Sequence, residues 1–488
     1  MIAEEMLVKI VGSRNTDHKQ SSLEEYSRDM SFVNEVKPGC VVRPKNTAEI
    51  AALVKVANET LTPLIPVSSG PPHFRGDTVP GIGGAVMVDL SGMKKIIRVD
   101  RDNRVAMFEP GVTFEELIPV VARKGLRLNL PLLPRRTKSV VGSMLEREPV
   151  VMPKYHWDIG DPLACVEVIF GTGDVFRTGA AAGPGSLEEQ WAAGGAQKEA
   201  AGPSAFSLYR IVQGAQGTMG IVTWASARCE LIPGIEEPFL VGSSNLDGVM
   251  EMVHWLIRLR LVNECFVLNN TNLAAIMAKR WPKDYLAIKD TLPPWILFFT
   301  IAGYEYLAEE RVSGQTGDMV EIARRAGLEP EKAINGVSAY ELLETVKRPS
   351  GEPYWKLRYK GACQDIFFLT IYDNLPGIID TMYEEADKAG YPSPEMGIYL
   401  QPVVQGSNCH CEFNLFYDPE NRSESERVRD LSEEAVTSLM SQGAFFSRPY
   451  GTSTGAIVNR DAATVAALKK VKSVLDPNSI MNPGKLCF

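Results

Sequence analysis

Cys409-His410-Cys411 puts two thiols and an imidazole at three consecutive positions, the ligand types of a soft-metal site. The surrounding segment, QGSNCHCEFN, reads as a strand, in which neighbouring side chains point to opposite faces. Such a run offers a metal two ligands at most, so no metal is expected. The remaining cysteines, at 40, 165, 229, 265, 363 and 487, are scattered and form no CxxC pair. They read as buried thiols in a reducing compartment. There is no CxxCH and no cluster-binding cysteine set, so a haem or iron–sulfur relay would belong to another chain. Two further stretches have residue types suited to binding. One is the loop Pro66-Val67-Ser68-Ser69-Gly70-Pro71-Pro72-His73-Phe74-Arg75-Gly76. The other is the glycine-rich turn GAQGTMG at 214–220.

These stretches need elements to hold them. Residues 40–43 predict a short strand, and Asn46 with Glu49 predicts a capped helix whose buried face is Ile50, Leu53, Val54 and Ala57. LTPLIPV then leads as a strand into the 66–76 loop. AVMVDLSGM and KKIIRVDRDNRVAMFEPG read as strands with a turn at 100–103. Thr113 and Glu116 form a second capping box, with Gly125 as the stop signal. Residues 163–178 predict a hairpin turning at 171–174, 179–203 a surface excursion, and 211–233 the glycine-rich turn followed by a long strand. Beyond Pro233 the pattern changes to helices at 247–262 and 317–327 and strands at 295–303, 364–372 and 396–417. Helices follow at 423–442 and 461–475. The fold class is α+β throughout. The 488 residues are too many for one core, and the expected division is 1–235, 236–440 and 441–488.

A net charge of −9 gives no basic field for nucleic acid. No uncharged apolar run reaches the roughly 18 residues of a membrane span, and Glu4, Glu5 and Lys9 interrupt any leader-like start. A cytoplasmic protein with no membrane or nucleic-acid partner is the expectation.

VVRPKNTAEIAALVKVAN, FEPGVTFEEL, SVVGSMLER, ACVEVIFGTGDVFRTG, GAQGTMGIVTWA and SVLDPNSIMNPGK, in this order, resemble the FAD-linked oxidases and dehydrogenases of the vanillyl-alcohol oxidase and p-cresol methylhydroxylase type. The resemblance covers most of 41–235 and the tail. It implies a two-part FAD-binding domain of the p-cresol methylhydroxylase type. It also implies an α+β cap with an antiparallel sheet over the flavin and a tail that returns to the FAD domain. By resemblance, Ser68, Ser69 and Gly70 hold the pyrophosphate, although Pro71 and Pro72 lack the N–H donors of a glycine-rich loop. Ser139, Val140, Gly142 and Ser143, with Gly217, Gly220, Ile221 and Val222, would wrap the flavin. His73 matches the loop position from which some relatives bond the flavin covalently. Arg448, in FFSRPYG, matches the arginine set beside the flavin pyrimidine, where negative charge develops on reduction.

The phenol-oxidising branch holds a phenolate between tyrosines and an arginine. Here those positions carry Arg75, Val151 and Ser447, and the acidic position near 134–135 carries Pro134 or Arg135. Arg75, Arg135 or Arg136, and Arg448 instead suggest a carboxylate-bearing substrate. His410 is the first choice for the base, resembling the Asn-x-His segment of D-lactate and glycolate dehydrogenases, with Tyr399 and His156 in reserve. The expected activity is FAD-dependent hydride removal from a small alcohol, phenolic or hydroxy-acid substrate. The alternatives are a 2-hydroxy-acid dehydrogenase subunit that passes electrons to a partner protein, and a subunit that keeps the fold but not the catalysis. Resemblance also implies a homo-oligomer.

Overall fold

The computed structural model describes residues 2–153, 162–202 and 209–488. The N-terminal half contains two sheets. In the first, Cys40–Val42, Val86–Asp89 and Leu64–Val67 run parallel, with Thr16–Asp17 antiparallel at one edge. Parallel strands need a crossover, and helix Thr47–Thr60 supplies one between Cys40–Val42 and Leu64–Val67. Asn46 accepts from the Glu49 N–H at 3.0 Å, and the Glu49 carboxylate accepts from the Lys45 N–H at 2.8 Å. Ile50, Leu53, Val54 and Ala57 are buried on one face, as predicted.

The second sheet is antiparallel, in the order Ile96–Asp100, Val105–Phe108, Gly220–Leu231, Leu163–Phe170, Val175–Arg177. Leu126–Leu128 pairs with the far end of Gly220–Leu231. The predicted hairpin and the Thr113–Glu116 capping box are both present. Ser139, expected only as part of a flavin-wrapping segment, also caps helix Val140–Leu145 by accepting from the Gly142 N–H. The excursion at 179–203 contains helix Leu187–Ala192. It packs Leu187 and Trp191 against Met107, Cys165 and Trp224.

A third sheet of six antiparallel strands follows, ordered Ile235–Ser243, Trp295–Gly303, Cys265–Asn269, Gly397–Val403, Asn408–Tyr417, Ala362–Thr370. One face packs under helices Leu375–Ala389 and Arg422–Ser441, burying Cys409, Cys411, Phe413 and Leu415. The other face carries His410, Glu412 and Asn414 from the same strand. Strand alternation thus separates the two thiols from the imidazole. Ile235–Ser243 and Cys265–Asn269 were not anticipated. All five residues of the latter are buried, so the run has no polar/apolar period to mark it. The helix predicted from 317 starts at Ala308.

After helix Ala462–Leu475 the tail returns to the first sheet. The Leu64 N–H donates to Ile480 O at 2.7 Å and the Asn482 N–H to Leu64 O at 2.9 Å. No helix among the described residues is long and apolar enough to cross a membrane.

Candidate active site

A cleft open to solvent lies between the N-terminal sheets and the open face of the third sheet. The floor comes from loops at strand ends. Ser68 and Ser69 follow strand Leu64–Val67, Gly142 sits on the short helix, and Gly217, Gly220 and Val222 lie at the start of the long strand. Ser69 Oγ accepts from the Ser139 N–H at 3.0 Å, tying the first loop to the short helix.

The other expected cofactor-binding residues stand one layer back. Gly70 donates its N–H to Thr137 O at 3.0 Å, so that donor is already used within the protein. The Ser139 hydroxyl donates to Pro110 O at 2.5 Å, and the Ser143 hydroxyl donates to Glu148 at 2.6 Å. Val140 and Ile221 pack into cores behind the floor. These five support the wall rather than form it.

His73 does face the cleft. Its ring is buried beside Tyr26, and Nε2 has no hydrogen-bond partner. Burial, reinforced by the Arg135 guanidinium, pushes its pKa down to about 4, so the imidazole is neutral.

On the cap side, the charges form two clusters. Arg75 pairs with Glu146 and, at 3.1 Å, with Glu148, while Lys138 reaches Glu146 at 2.5 Å and Glu148 at 3.7 Å. Burial alone would raise Glu148, but Lys138, Arg75 and the Ser143 hydroxyl outweigh it and bring the carboxyl down to about 2. In the second cluster the Lys356 ammonium sits between Asp365 at 2.7 Å and Glu412 at 2.5 Å. Asn414 Nδ2 donates 2.7 Å bonds to the same two carboxylates. Burial and the Glu412 charge raise the Asp365 pKa against the pull of Lys356. Glu412 is held well below the usual range because Lys356 and His410 outweigh its burial.

Arg448 stands between the clusters and forms no ion pair among the described residues. Its guanidinium lies 4.4 Å from the centre of the Phe367 ring and donates to Glu146 O at 3.4 Å. Burial and neighbouring Arg75 lower its pKa to about 10, which leaves it charged at neutral pH.

The structure does not place His410, the base expected from the sequence, on the cleft wall. Its ring is fully buried behind the cleft wall and both nitrogens are engaged, Nδ1 accepting from Arg448 at 3.4 Å and Nε2 facing Glu412 at 3.3 Å. Burial pushes its pKa to about 4, against the pull of Glu412. A neutral imidazole in this position hydrogen-bonds Arg448 and does not line the cleft. Tyr399 lines the cleft, but its hydroxyl donates to Gln401 at 2.8 Å. His156 lies outside the described residues.

The expected arginine trio also changes. Arg75 is neutralised by two glutamates. Arg136 turns outward to Glu115. Arg135 donates to Gly70 O at 3.1 Å and to Pro72 O, bracing the loop. The positions carried over from the phenol oxidases supply no tyrosine, yet Tyr354 and Tyr450 reach the cleft from elsewhere. Sequence reasoning missed Asp365, Lys356 and Glu412. The i, i+2 spacing of His410, Glu412 and Asn414 on one strand was the available signal.

Comparison with known proteins agrees with this geometry. A family described as an FAD binding domain matches residues 38–179, and the C-terminal domain of FAD linked oxidases matches 370–486, together more than half the chain. The solved structure of p-cresol methylhydroxylase with substrate bound superposes with a TM-score of 0.84 at 19% identity, covering 99% of this chain and 96% of that one. The chain belongs to the FAD linked oxidases, and it has the fold of p-cresol methylhydroxylase. 4-Ethylphenol oxidase from Gulosibacter chungangensis, in its isoeugenol complex, superposes with a TM-score of 0.83 at 20% identity over 99% of this chain and 95% of that one. By sequence, the chain is 27% identical over 502 residues to the glycolate oxidase subunit GlcD of Bacillus subtilis (strain 168), spanning 99% of this chain and 96% of the relative. It is an FAD-linked oxidoreductase, and FAD is its cofactor.

The cleft fits that cofactor. His73 offers an unpartnered buried nitrogen. Gly142 and Gly217 present bare backbone where a side chain has no room. A Cβ at Gly142 would lie 3.0 Å from Ser68 Oγ, and one at Gly217, whose φ is +72°, would lie 2.5 Å from Pro66.

Proposed function

We propose that the protein oxidises a small 2-hydroxy acid to the 2-oxo acid, with Arg448 binding the carboxylate and Asp365 accepting the hydroxyl proton. Bound FAD supplies the two-electron hydride acceptor. The observation that carries this reading is Arg448. It is a buried cation on the cleft with no carboxylate of its own, while Arg75, Lys138 and Lys356 are each paired. A guanidinium so placed binds a carboxylate bidentately. Asp365 has a raised pKa and a side chain 21% exposed, which suits a base that meets substrate. Ser68, Ser69, Gly142, Gly217, Gly220 and Val222 line the cofactor's side of the cleft. His73 is its point of covalent attachment. The FAD-binding unit is taken as 1–235, the cap as 236–440 and the returning tail as 441–488. The third sheet and the tail pairing at Leu64 support that division.

The test is anaerobic flavin reduction by hydroxy acids and by neutral alcohols of the same shape. Arg448→Lys should slow reduction by the acid by about tenfold or more while leaving the neutral alcohol little changed, since the planar bidentate fork is lost. Asp365→Asn should slow both by about 10²–10⁴-fold. Equal losses for acid and alcohol in Arg448→Lys would remove the carboxylate reading. A phenolic substrate is the second reading, favoured by Tyr354 and Tyr450 on the wall beside Arg448. Reduction by a p-alkylphenol and not by hydroxy acids would establish it. The absence of relay cysteines points to oxygen or a separate electron-accepting protein as the oxidant. A homo-oligomer in the cytoplasm remains the proposal for assembly and location. The charged cleft and its orphaned imidazole favour an active enzyme over a scaffolding subunit.

A further inference from the structure

The register of the third sheet sets three residues in a row. Asp365 on strand Ala362–Thr370 pairs with Asn414 on strand Asn408–Tyr417, and Asn414 pairs in turn with Gly397 on strand Gly397–Val403. Residues directly opposite on neighbouring strands project to the same face. The row therefore reads carboxylate, amide, bare backbone. The empty third place is filled from outside the sheet. Asn272, on helix Asn270–Met277, occupies it so closely that a Cβ at Gly397 would run into its Oδ1.

Asn272 and Asn414 are both fully buried. Asn272 Nδ2 donates to Asn414 Oδ1 at 2.7 Å, and Asn414 Nδ2 donates to Asp365 Oδ1 and Glu412 Oε1. With its oxygen taken by Asn272, the Asn414 amide presents its NH₂ group to the two carboxylates. Turning it round would set its oxygen against two anions. Asn272 Oδ1 is left buried with no hydrogen-bond partner among the described residues. A buried orphan of this kind is rare, and an apolar side chain at 272 would avoid it.

The lone pairs of Asp365 are shared out unequally. A carboxylate oxygen has two acceptor positions. Oδ1 takes Asn414 Nδ2 at 2.7 Å and the Cys363 thiol at 3.4 Å, whereas Oδ2 takes only the Lys356 ammonium, at 2.7 Å. Among the described residues, the free position on this cleft-lining carboxylate is on Oδ2.

We propose that Asn414, locked by Asn272, is a positioning residue for the proton transfer: it holds Asp365 Oδ1 as a fixed acceptor and leaves Oδ2 to receive the substrate's proton. The proposal rests on the reading of Asp365 as the base. In that step the substrate O–H bond breaks and its proton bonds to Oδ2. The O–H electron pair becomes the second bond of the carbonyl, and the hydride on the same carbon goes to bound FAD. Lys356 keeps its 2.5 Å pairing with Glu412 while Asp365 becomes neutral. The other charged or titratable groups facing Asp365 are Arg75, Tyr354 and Cys363.

The test follows Asp365 itself, as the infrared carboxyl band that is lost in Asp365→Asn, through a pH titration of the FAD-loaded protein. A donor to the carboxylate favours its ionised form. Asn414→Leu should therefore move the midpoint up by about one pH unit or more. It should also slow anaerobic flavin reduction at saturating lactate by about tenfold, with the half-saturating concentration little changed. Asn272→Leu leaves the donor in place but unlocks it, so the midpoint should move the same way. In the double variant the shift should be no larger than in Asn414→Leu alone, because both changes act through one amide. An unmoved midpoint in Asn414→Leu, or shifts that add in the double variant, overturns the proposal. Should Asn414→Leu not fold, Asn272→Leu decides: a rise supports the proposal and no rise overturns it. If lactate does not reduce the flavin, or reduces it as fast in Asp365→Asn, the base reading fails. The infrared midpoints then decide the hold of Asn414 on Asp365 by themselves.

Discussion

His73 combines three properties that rarely coincide at a loop residue: it is buried, neutral at physiological pH, and has a ring nitrogen without a partner. A neutral imidazole with a free nitrogen is a nucleophile, and this one faces the cofactor's cleft. Acid precipitation of the purified protein should carry the yellow colour into the pellet, and His73→Ala should release it to the supernatant. Colour released by the unmodified protein would make the bond dissociable and leave His73 as a lining residue. His410 shows the opposite case. Sequence singled it out as the base, whereas in the fold it is fully buried and off the cleft wall. Both nitrogens are occupied, one of them by Arg448.

At the scale of elements, strand Asn408–Tyr417 does two jobs with one alternation. Its odd-numbered thiols and aromatics fill the cap core, while His410, Glu412 and Asn414 support the cleft. The tail is held by a different device. Lys472, near the end of helix Ala462–Leu475, donates to Thr218 O at 2.6 Å, Met481 O at 3.2 Å and Asp476 at 2.5 Å. Asp476 in turn accepts from the N–H groups of Ile480 and Met481 at 3.0 and 2.8 Å. Breaking one side of a buried pair strands the other charge, so Asp476→Ala should cost roughly 3–5 kcal/mol in denaturant unfolding. The double variant Lys472→Met, Asp476→Leu should recover much of that loss. A single-variant cost below about 1 kcal/mol would show that the pair does not anchor the tail.

For the whole molecule, buried neutral histidines make stability depend on pH. His73 and His410 each titrate near 4 in the fold against an ordinary value of 6.5. Between those values the unfolded chain takes up protons that the folded chain refuses. Stability is therefore complete above pH 6.5 and is lost as pH falls toward 4, by at most about 1.4 kcal/mol per pH unit for each imidazole. Urea unfolding at pH 7.5 and 5.0 should show the fall, and His73→Asn should reduce it by about half. An equal fall in the His73→Asn variant would show that this ring does not carry the dependence.

Much of the fold could be read locally. The Asn46 and Thr113 caps, the 163–178 hairpin and the long strand after GAQGTMG depend on neighbours a few residues apart, and there the expectations held. Continuous buried runs such as Cys265–Asn269 lacked the period that would have marked them. The ordered motif blocks fixed the cofactor, because the loops that hold a flavin follow strand ends and stay in sequence order. The substrate end of the cleft was decided by tertiary structure. Asp365, Lys356, Glu412 and Arg448 come from separate segments of the chain and meet only when the cap sheet closes over the N-terminal domain. The same packing left Arg448 and Arg135 without a carboxylate partner among the described residues. A guanidinium is legible in a sequence, but the carboxylates that satisfy it, such as Glu146 and Glu148 beside Arg75, lie 71 and 73 residues away along the chain.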